Sequence, residues 1–272
     1  MNEIFSDKSL SRLTSTALIF ICNLMTYKLI IQARTNSGRL PGKMLKPFFN
    51  DKTIPEIIID KLKEYFSEQD IILATTINPD DDHLVNAARN KGIEIFRGDE
   101  DDVLHRFIHA AETNDANVIV RICADNPFLQ VDSIRQLLLM FHEEPVDYLS
   151  YELYDHTPVI KSHLGLFAEV TTLKTLKKVA QITNKKKYRE HVTNYIYAHP
   201  EIFKIKLLPL DEALIYRNEI RLTIDTLDDF KLCQEIYKEI SPNFTIESLL
   251  NAIDLDTSRV ERMKVQITEN SK

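Results

Sequence analysis

What most constrains this chain is an alternation of short β-branched runs with amphipathic stretches through its first half. Leu29-Ile-Ile31, Asp70-Ile-Ile-Leu-Ala-Thr-Thr76, Ile93-Glu-Ile-Phe96 and Asn117-Val-Ile-Val-Arg-Ile122 read as strands. Residues 54–66, 80–90 and 101–112 between them, and 132–142 after the last, place apolar side chains at helical spacing. Apolar strands joined by helices of about 10–13 residues pair in parallel and are covered on both faces. The expected fold class is therefore α/β, with a doubly wound, mainly parallel sheet.

After about residue 145 the rhythm loosens. Val146-Asp-Tyr-Leu149 and the alternating Phe203–Leu208 read as strands, and residues 171–182 and 188–199 as helices. Arg221-Leu-Thr-Ile224 reads as a last strand before two amphipathic helices near 227–239 and 245–253. No internal repeat, low-complexity tract or Pro/Gly linker divides the chain, so one domain carrying a small lobe is expected rather than two domains. The expected limits are an extension over 1–24, the functional domain over 25–262 with its lobe at about 150–215, and a tail over 263–272. The apolar run Ala17–Met25 is too short for a membrane span, which takes about 20 residues. Lys8 and Arg12 before it loosely imitate a signal peptide, but no clear small-residue cleavage site follows and a core strand begins at once. Residues 1–24 are read instead as an over-long reading frame or a helix on the surface.

Composition matters at three points. The chain has 5 glycines in 272 residues, where average usage predicts about 19, and Gly38 and Gly42 share one short segment. The formal charge of −7 disfavours general binding to nucleic acid. The 3 cysteines, Cys22, Cys123 and Cys233, are far apart, odd in number and without metal-ligand spacing, which points to a reducing cytoplasm.

In open α/β sheets, ligands bind beyond the carboxyl ends of the strands, where strand order reverses. The segment after the first strand, Gln32-Ala-Arg-Thr-Asn-Ser-Gly-Arg-Leu-Pro-Gly-Lys43, holds Arg34, Arg39, Lys43, the Ser37 hydroxyl and both clustered glycines. It is either a solvated basic turn or an anion cradle, and its place after a buried first strand favours phosphate. The spacing is not that of a Walker loop, and G-x-G-x-x-G is absent. Asp125 and Asp225 each follow a strand-like run. Either alone could be a helix N-cap. Together with the cationic loop they suit Mg²⁺, which takes one or two carboxylates plus phosphate oxygens and water. Asp80-Asp-Asp82 and Asp99-Glu-Asp-Asp102 precede helices and read as solvated caps. His105 and His109, one turn apart, lack a third ligand at convincing spacing. Lys185-Lys-Lys187 with Arg189 could be a solvated loop or could reach over an anionic substrate.

Five blocks in order are similar to a known group: Ile30–Lys43, Phe96–Phe107, Val120–Pro127, Arg189-Glu-His-Val-Thr193 and Arg221-Leu-Thr-Ile-Asp-Thr226. They resemble the cytidylyltransferases that make CMP-activated sugars, above all the spore-coat polysaccharide biosynthesis branch. CMP-3-deoxy-manno-octulosonate synthetase and acylneuraminate cytidylyltransferase resemble it more distantly. The resemblance covers about 28–240 and implies the Rossmann-like nucleotide-diphospho-sugar transferase fold. It implies that Arg34, Ser37, Gly38, Arg39 and Lys43 hold the CTP phosphates, and that Asp125 and Asp225 carry Mg²⁺. It places the 97–106 segment near the base and ribose, with Arg97 and above all Arg106 contributing. It turns His163, Glu169, Arg189, Glu190 and His191 toward a sugar or sugar-acid acceptor, and implies a homodimer. Asn36 and Ala124 stand where the group usually has glycine, and Gly38 where it has a small hydroxyl residue. None of these changes removes a charge. The reaction so implied is transfer of CMP from CTP with release of pyrophosphate, with Arg39, Lys43, Asp125 and Asp225 at its centre. The rival expectations are a nucleotide-sugar-dependent glycosyltransferase and a non-catalytic nucleotide-binding subunit of a polysaccharide assembly system.

Overall fold

The computed structural model describes residues 26–241 and 243–270. The expectations for residues 1–24 lie outside the described residues. One seven-stranded sheet runs in the order β3-β2-β1-β4-β6-β5-β7. Its strands are β1 (Tyr27–Gln32), β2 (Ile71–Thr76), β3 (Glu94–Gly98), β4 (Val118–Cys123), β5 (Tyr148–Glu152), β6 (Glu169–Thr172) and β7 (Ile205–Pro209). The first four pair in parallel, with Gln32 opposite both Ala74 and Cys123. β6 lies antiparallel between β4 and β5, and β7 is parallel to β5 at the edge. Strand order reverses between β1 and β4, so the crevice beyond their carboxyl ends is where a ligand is expected.

The helices are α1 (Ile54–Lys63), α2 (Asp82–Asn90), α3 (Val103–Thr113), α4 (Val131–Glu143), α5 (Leu173–Ile182), α6 (Lys186–Glu190), α7 (Asn194–Tyr197), α8 (Glu212–Ile215), α9 (Leu227–Ile240), α10 (Ile246–Asp254) and α11 (Thr257–Glu269). Side-chain alternation along the strands sorts them into two layers. Leu29 and Ile31 pack with the apolar faces of α1, α4, α9 and α10. Ile30 and Ile119 pack with α3, α5 and Tyr188, Val192 and Tyr195 of the lobe. Local chemistry agrees with this layout. A Thr53/Glu56 capping box with Pro55 in the first turn starts α1, and Asp102 accepts the His105 N–H at the start of α3. Gly92, at φ +76°, follows α2 and its C-cap Lys91.

Four expectations need correction. Arg221–Ile224 is not a strand: both edges of β4 are already taken by β1 and β6, so this segment bonds to loops instead. Leu222 and Thr223 donate to the His163 carbonyl and Ile224 to that of Asp125. The helix expected over 188–199 is broken at His191–Thr193 into α6 and α7, where the Thr193 hydroxyl turns inward to the buried Glu169. Residues 169–172 form β6, for which Val170-Thr-Thr172 is the β-branched signal, and the helix begins only at Leu173. A third C-terminal helix, α11, runs across position 263, and Met263 is buried.

Candidate active site

A cavity of about 840 Å³ opens beyond the carboxyl ends of β1 and β4. Arg34, Ser37, Gly38, Arg39 and Lys43 line it from the β1 side, Asp125 and Asp225 from below, and Glu190 and His191 from the lobe. Lys43 is the anchor of this end. It is 5% exposed, and its Nζ donates to the Ile224 carbonyl, to Asp125 Oδ2 at 3.2 Å, and lies 3.8 Å from Asp225 Oδ1. Arg39 Nη2 meets the same Asp225 oxygen at 2.8 Å. Gly42 makes this possible. At φ +68° it turns the chain into the short 3-10 turn Lys43–Leu45, while its N–H donates to the Thr35 carbonyl. A Cβ would meet nothing within 4 Å at either glycine, so what sets Gly42 apart from Gly38 is its positive φ alone.

The loop is fixed from behind by Asp81, one of the residues expected to be a solvated cap. Asp81 is 1% exposed and accepts from the Thr35 N–H and hydroxyl, the Thr76 N–H and hydroxyl, and the Thr75 hydroxyl. Burial works against its charge, but the bonds from Thr35, Thr76 and Thr75 outweigh it and hold the carboxyl below its usual range. Asp125 and Asp225 supply hard oxygen ligands that already share one cation, the Lys43 ammonium, so the pair fits a divalent ion. Among the described residues no group of three or more His, Cys, Asp or Glu forms a metal cage, so such an ion would complete its shell with substrate oxygens and water.

The other residues singled out in the sequence are placed apart from the cavity lining. Arg97 donates to the Thr76 and Asn78 carbonyls and to Asp82, tying the end of β3 to the β2–α2 turn. Arg106 is buried beneath residues 98–102, where Nη1 donates to the Asp99 carbonyl at 2.8 Å. Burial and the neighbouring Arg34 push it down to about 10. His163 is buried against Arg221. Glu169 is 1% exposed and binds Arg121, the Tyr148 hydroxyl and the Thr193 hydroxyl. It thus holds two cavity-lining groups, Arg121 and Thr193, without lining the cavity itself.

Arg189 reaches away to Asp102, His105 and the Ala180 carbonyl. It belongs to a seam in which the two charge runs noted in the sequence face each other. Lys186 approaches Asp101 at 3.9 Å, and Arg34 stands between Glu100 and Glu190 at 3.7 and 3.8 Å. Sequence reasoning missed Gln32, Arg121, Asp81 and Asp229. The signal for Arg121 was a cation inside an otherwise apolar strand. Gly165 was also missed: at φ +62° it lies so close to Asn126 and Thr223 that a Cβ would approach both at 3.0 Å.

A parallel core with its switch point between β1 and β4, and a cationic loop facing two carboxylates there, defines an α/β protein whose charges at that point suit a phosphorylated ligand. Residues 29–259 match the family described as Cytidylyltransferase, and the chain belongs to that family. It is 40% identical over 226 residues to an uncharacterized protein of Methanocaldococcus jannaschii, covering 83% of this chain and 89% of the relative. It is 29% identical over 232 residues to the spore coat polysaccharide biosynthesis protein SpsF of Bacillus subtilis, covering 83% and 92%. Among solved structures, a cytidylyltransferase from Leptospira borgpetersenii superposes with a TM-score of 0.76 at 26% identity, covering 87% of this chain and 97% of that one.

Proposed function

We propose that this chain transfers a cytidylyl group from CTP to a hydroxyl of a sugar or sugar-acid acceptor, releasing pyrophosphate, in the synthesis of a surface polysaccharide or glycoconjugate. The observation that carries this reading is the convergence of Lys43 and Arg39 on Asp125 and Asp225 at the sheet's switch point. The acceptor oxygen attacks the α-phosphorus in line as the bond to pyrophosphate breaks, and the protein supplies position and charge. Arg34, Arg39 and Lys43 neutralise the phosphates, with the Ser37 hydroxyl and the backbone at Gly38 beside them. Arg39 and Lys43 stabilise the charge that builds on the leaving pyrophosphate. Asp125 and Asp225 would hold Mg²⁺, which would polarise the α-phosphate and acidify the attacking hydroxyl. The acceptor lies along the wall formed by Arg121, Lys187, Glu190 and His191, all of which face the cavity. A homodimer in the cytoplasm belongs to the same reading as an expectation carried by the resemblance alone. No helix among the described residues is long and apolar enough to cross a membrane.

Thermal stabilisation by CTP, UTP, GTP and ATP, each with and without Mg²⁺, tests the reading. A ligand at 100 times its Kd adds about 2.7 kcal/mol, a shift of several degrees. A CTP-selective, Mg²⁺-dependent shift is expected, followed by pyrophosphate release with a sugar-acid acceptor. A shift with nucleotide sugars alone would replace this reading with a glycosyltransferase. Asp125→Asn is expected to lower pyrophosphate release by at least about a hundredfold while circular dichroism stays unchanged. Near-normal turnover in that variant would remove Asp125 from the metal site.

A further inference from the structure

Behind the cavity wall lies a charged side chain with no solvent exposure, Arg221. Its Nε and Nη2 form a fork on Asp229, at 2.7 and 2.9 Å, and Nη2 also donates to Asp225 Oδ2 at 3.1 Å. Its Nη1 lies 2.6 Å from Nδ1 of His163. A guanidinium has only donors, so Nδ1 must be the acceptor, which makes His163 a neutral imidazole with its proton on Nε2.

Both holders of Arg221 are themselves fixed. Asp229 accepts from the backbone N–H groups of Asp225 and Thr226 and closes the capping box that starts α9. The His163 carbonyl accepts from Leu222 and Thr223, on the same extended segment as Arg221. Burial opposes the Asp229 charge, but Arg221 and the two backbone donors outweigh it and keep its carboxyl below the usual range. Neither Asp229, His163 nor Arg221 lines the cavity, whereas Asp225 does. With Oδ2 engaged by Arg221, it is Asp225 Oδ1 that meets the cavity-lining Arg39 and Lys43.

We propose that Arg221 is a positioning residue for Asp225, clamped between Asp229 and a neutral His163 so that one fixed oxygen of Asp225 is presented to the metal of Mg-CTP. The proposal rests on the nucleotidyl-transfer reading. Residues that orient a metal ligand typically alter metal affinity or activity by about 10–100-fold when changed. A purely structural ion pair predicts something else: loss of stability, with all ligand binding weakened together or not at all.

The test is calorimetric titration of the full chain with CTP, once with Mg²⁺ and once in EDTA. Arg221→Lys keeps the charge but loses the fork. His163→Leu removes the acceptor, and His163→Asn restores a carboxamide oxygen near the place of Nδ1. Arg221→Lys and His163→Leu are expected to weaken CTP binding about 10–100-fold with Mg²⁺, but within about twofold in EDTA. His163→Asn is expected to recover most of the loss. If Arg221→Lys does not fold, the two His163 variants decide the matter. Folded variants that keep wild-type Mg²⁺ dependence, or that lose affinity equally in EDTA, would overturn the proposal. A wild-type chain that binds CTP no better with Mg²⁺ would instead defeat the nucleotidyl-transfer reading, and this proposal with it.

Discussion

Two sets of opposite charges flank the cavity, and they differ in almost every physical respect. Around Asp225, Arg221, Lys43 and Arg39 meet Asp229, Asp225 and Asp125, and the Arg221–Asp229 pair is essentially sealed from water, at 0 and 2% side-chain exposure. Across the mouth, the acidic run Asp99–Asp102 faces the basic residues of α6, and the Lys186–Asp101 pair is 75 and 77% exposed at 3.9 Å. Exposed pairs are screened by water and salt and give up side-chain entropy, so they stabilise little. A buried pair with its remaining hydrogen-bonding groups satisfied is costly to break, because the group left behind stays charged without a partner. The Arg221–Asp229 pair can therefore hold atoms in fixed places, while an exposed pair such as Lys186–Asp101 can only bias how the lobe sits over the cavity.

The contrast breaks most visibly at Asp229. Asp229→Ala leaves Arg221 half-paired and removes the α9 capping box, and urea unfolding should show a loss of about 3–5 kcal/mol. The effect should depend on pH. The folded-state pKa of Asp229 is depressed, so its contribution is present above the ordinary carboxylate value near 4 and fades as pH falls through its folded value. The difference between wild type and variant in urea midpoint should accordingly be constant from pH 8 down to about 5 and shrink below about 4. A gap that stays constant into strong acid would mean that packing and the lost cap, rather than charge, carry the effect.

The backbone of the cationic loop offers an intermediate case. Gly42→Ala must place a Cβ at φ +68° and should cost about 1 kcal/mol. Gly38→Ala enters open space without a positive φ and should change stability by less than half of that. Equal losses at the two glycines would show that the turn at Gly42 is not the feature that sets Lys43. The smallest effect is expected at the seam. Lys186→Ala should move the melting temperature by less than about 2 °C, and 0.5 M salt should erase the difference. A larger, salt-resistant change would show that the seam is structurally comparable to the buried cluster.

The same contrast explains what could be read in the chain. The parallel core was legible because strands buried on both faces leave an unambiguous run, as in Ile71–Thr76, and because the acidic run ending at Asp102 stands before a helix. The cationic loop and Asp125 were legible because they follow true strands at the sheet's switch point, with the scarce glycines marking the loop, whereas Asp225 was reached through a strand that does not form. Charge runs proved less informative than single charges. Asp80-Asp-Asp82 looked like a solvated cap, yet Asp81 within it is the buried anchor of Thr35. His163, Glu169 and Arg189 were expected to face an acceptor, but each is committed to another protein group. Those commitments depend on contacts between residues 48–87 positions apart, such as Glu169 with Arg121 and Arg189 with Asp102, which no local pattern encodes. The strand expected at Arg221–Ile224 failed for a related reason. Its β-branched composition was right, but whether an extended segment joins a sheet depends on whether a strand edge is free.

The bond from Lys43 to the Ile224 carbonyl spans 181 positions, and that from Lys43 to Asp125 spans 82. All seven strands lie before residue 210, so the whole sheet precedes in the chain the segment that supplies the Ile224 carbonyl and Asp225 to the Lys43 ammonium. A product lacking residues from 221 onward would carry the cationic loop without Asp225, a basic surface deprived of part of its counter-charge.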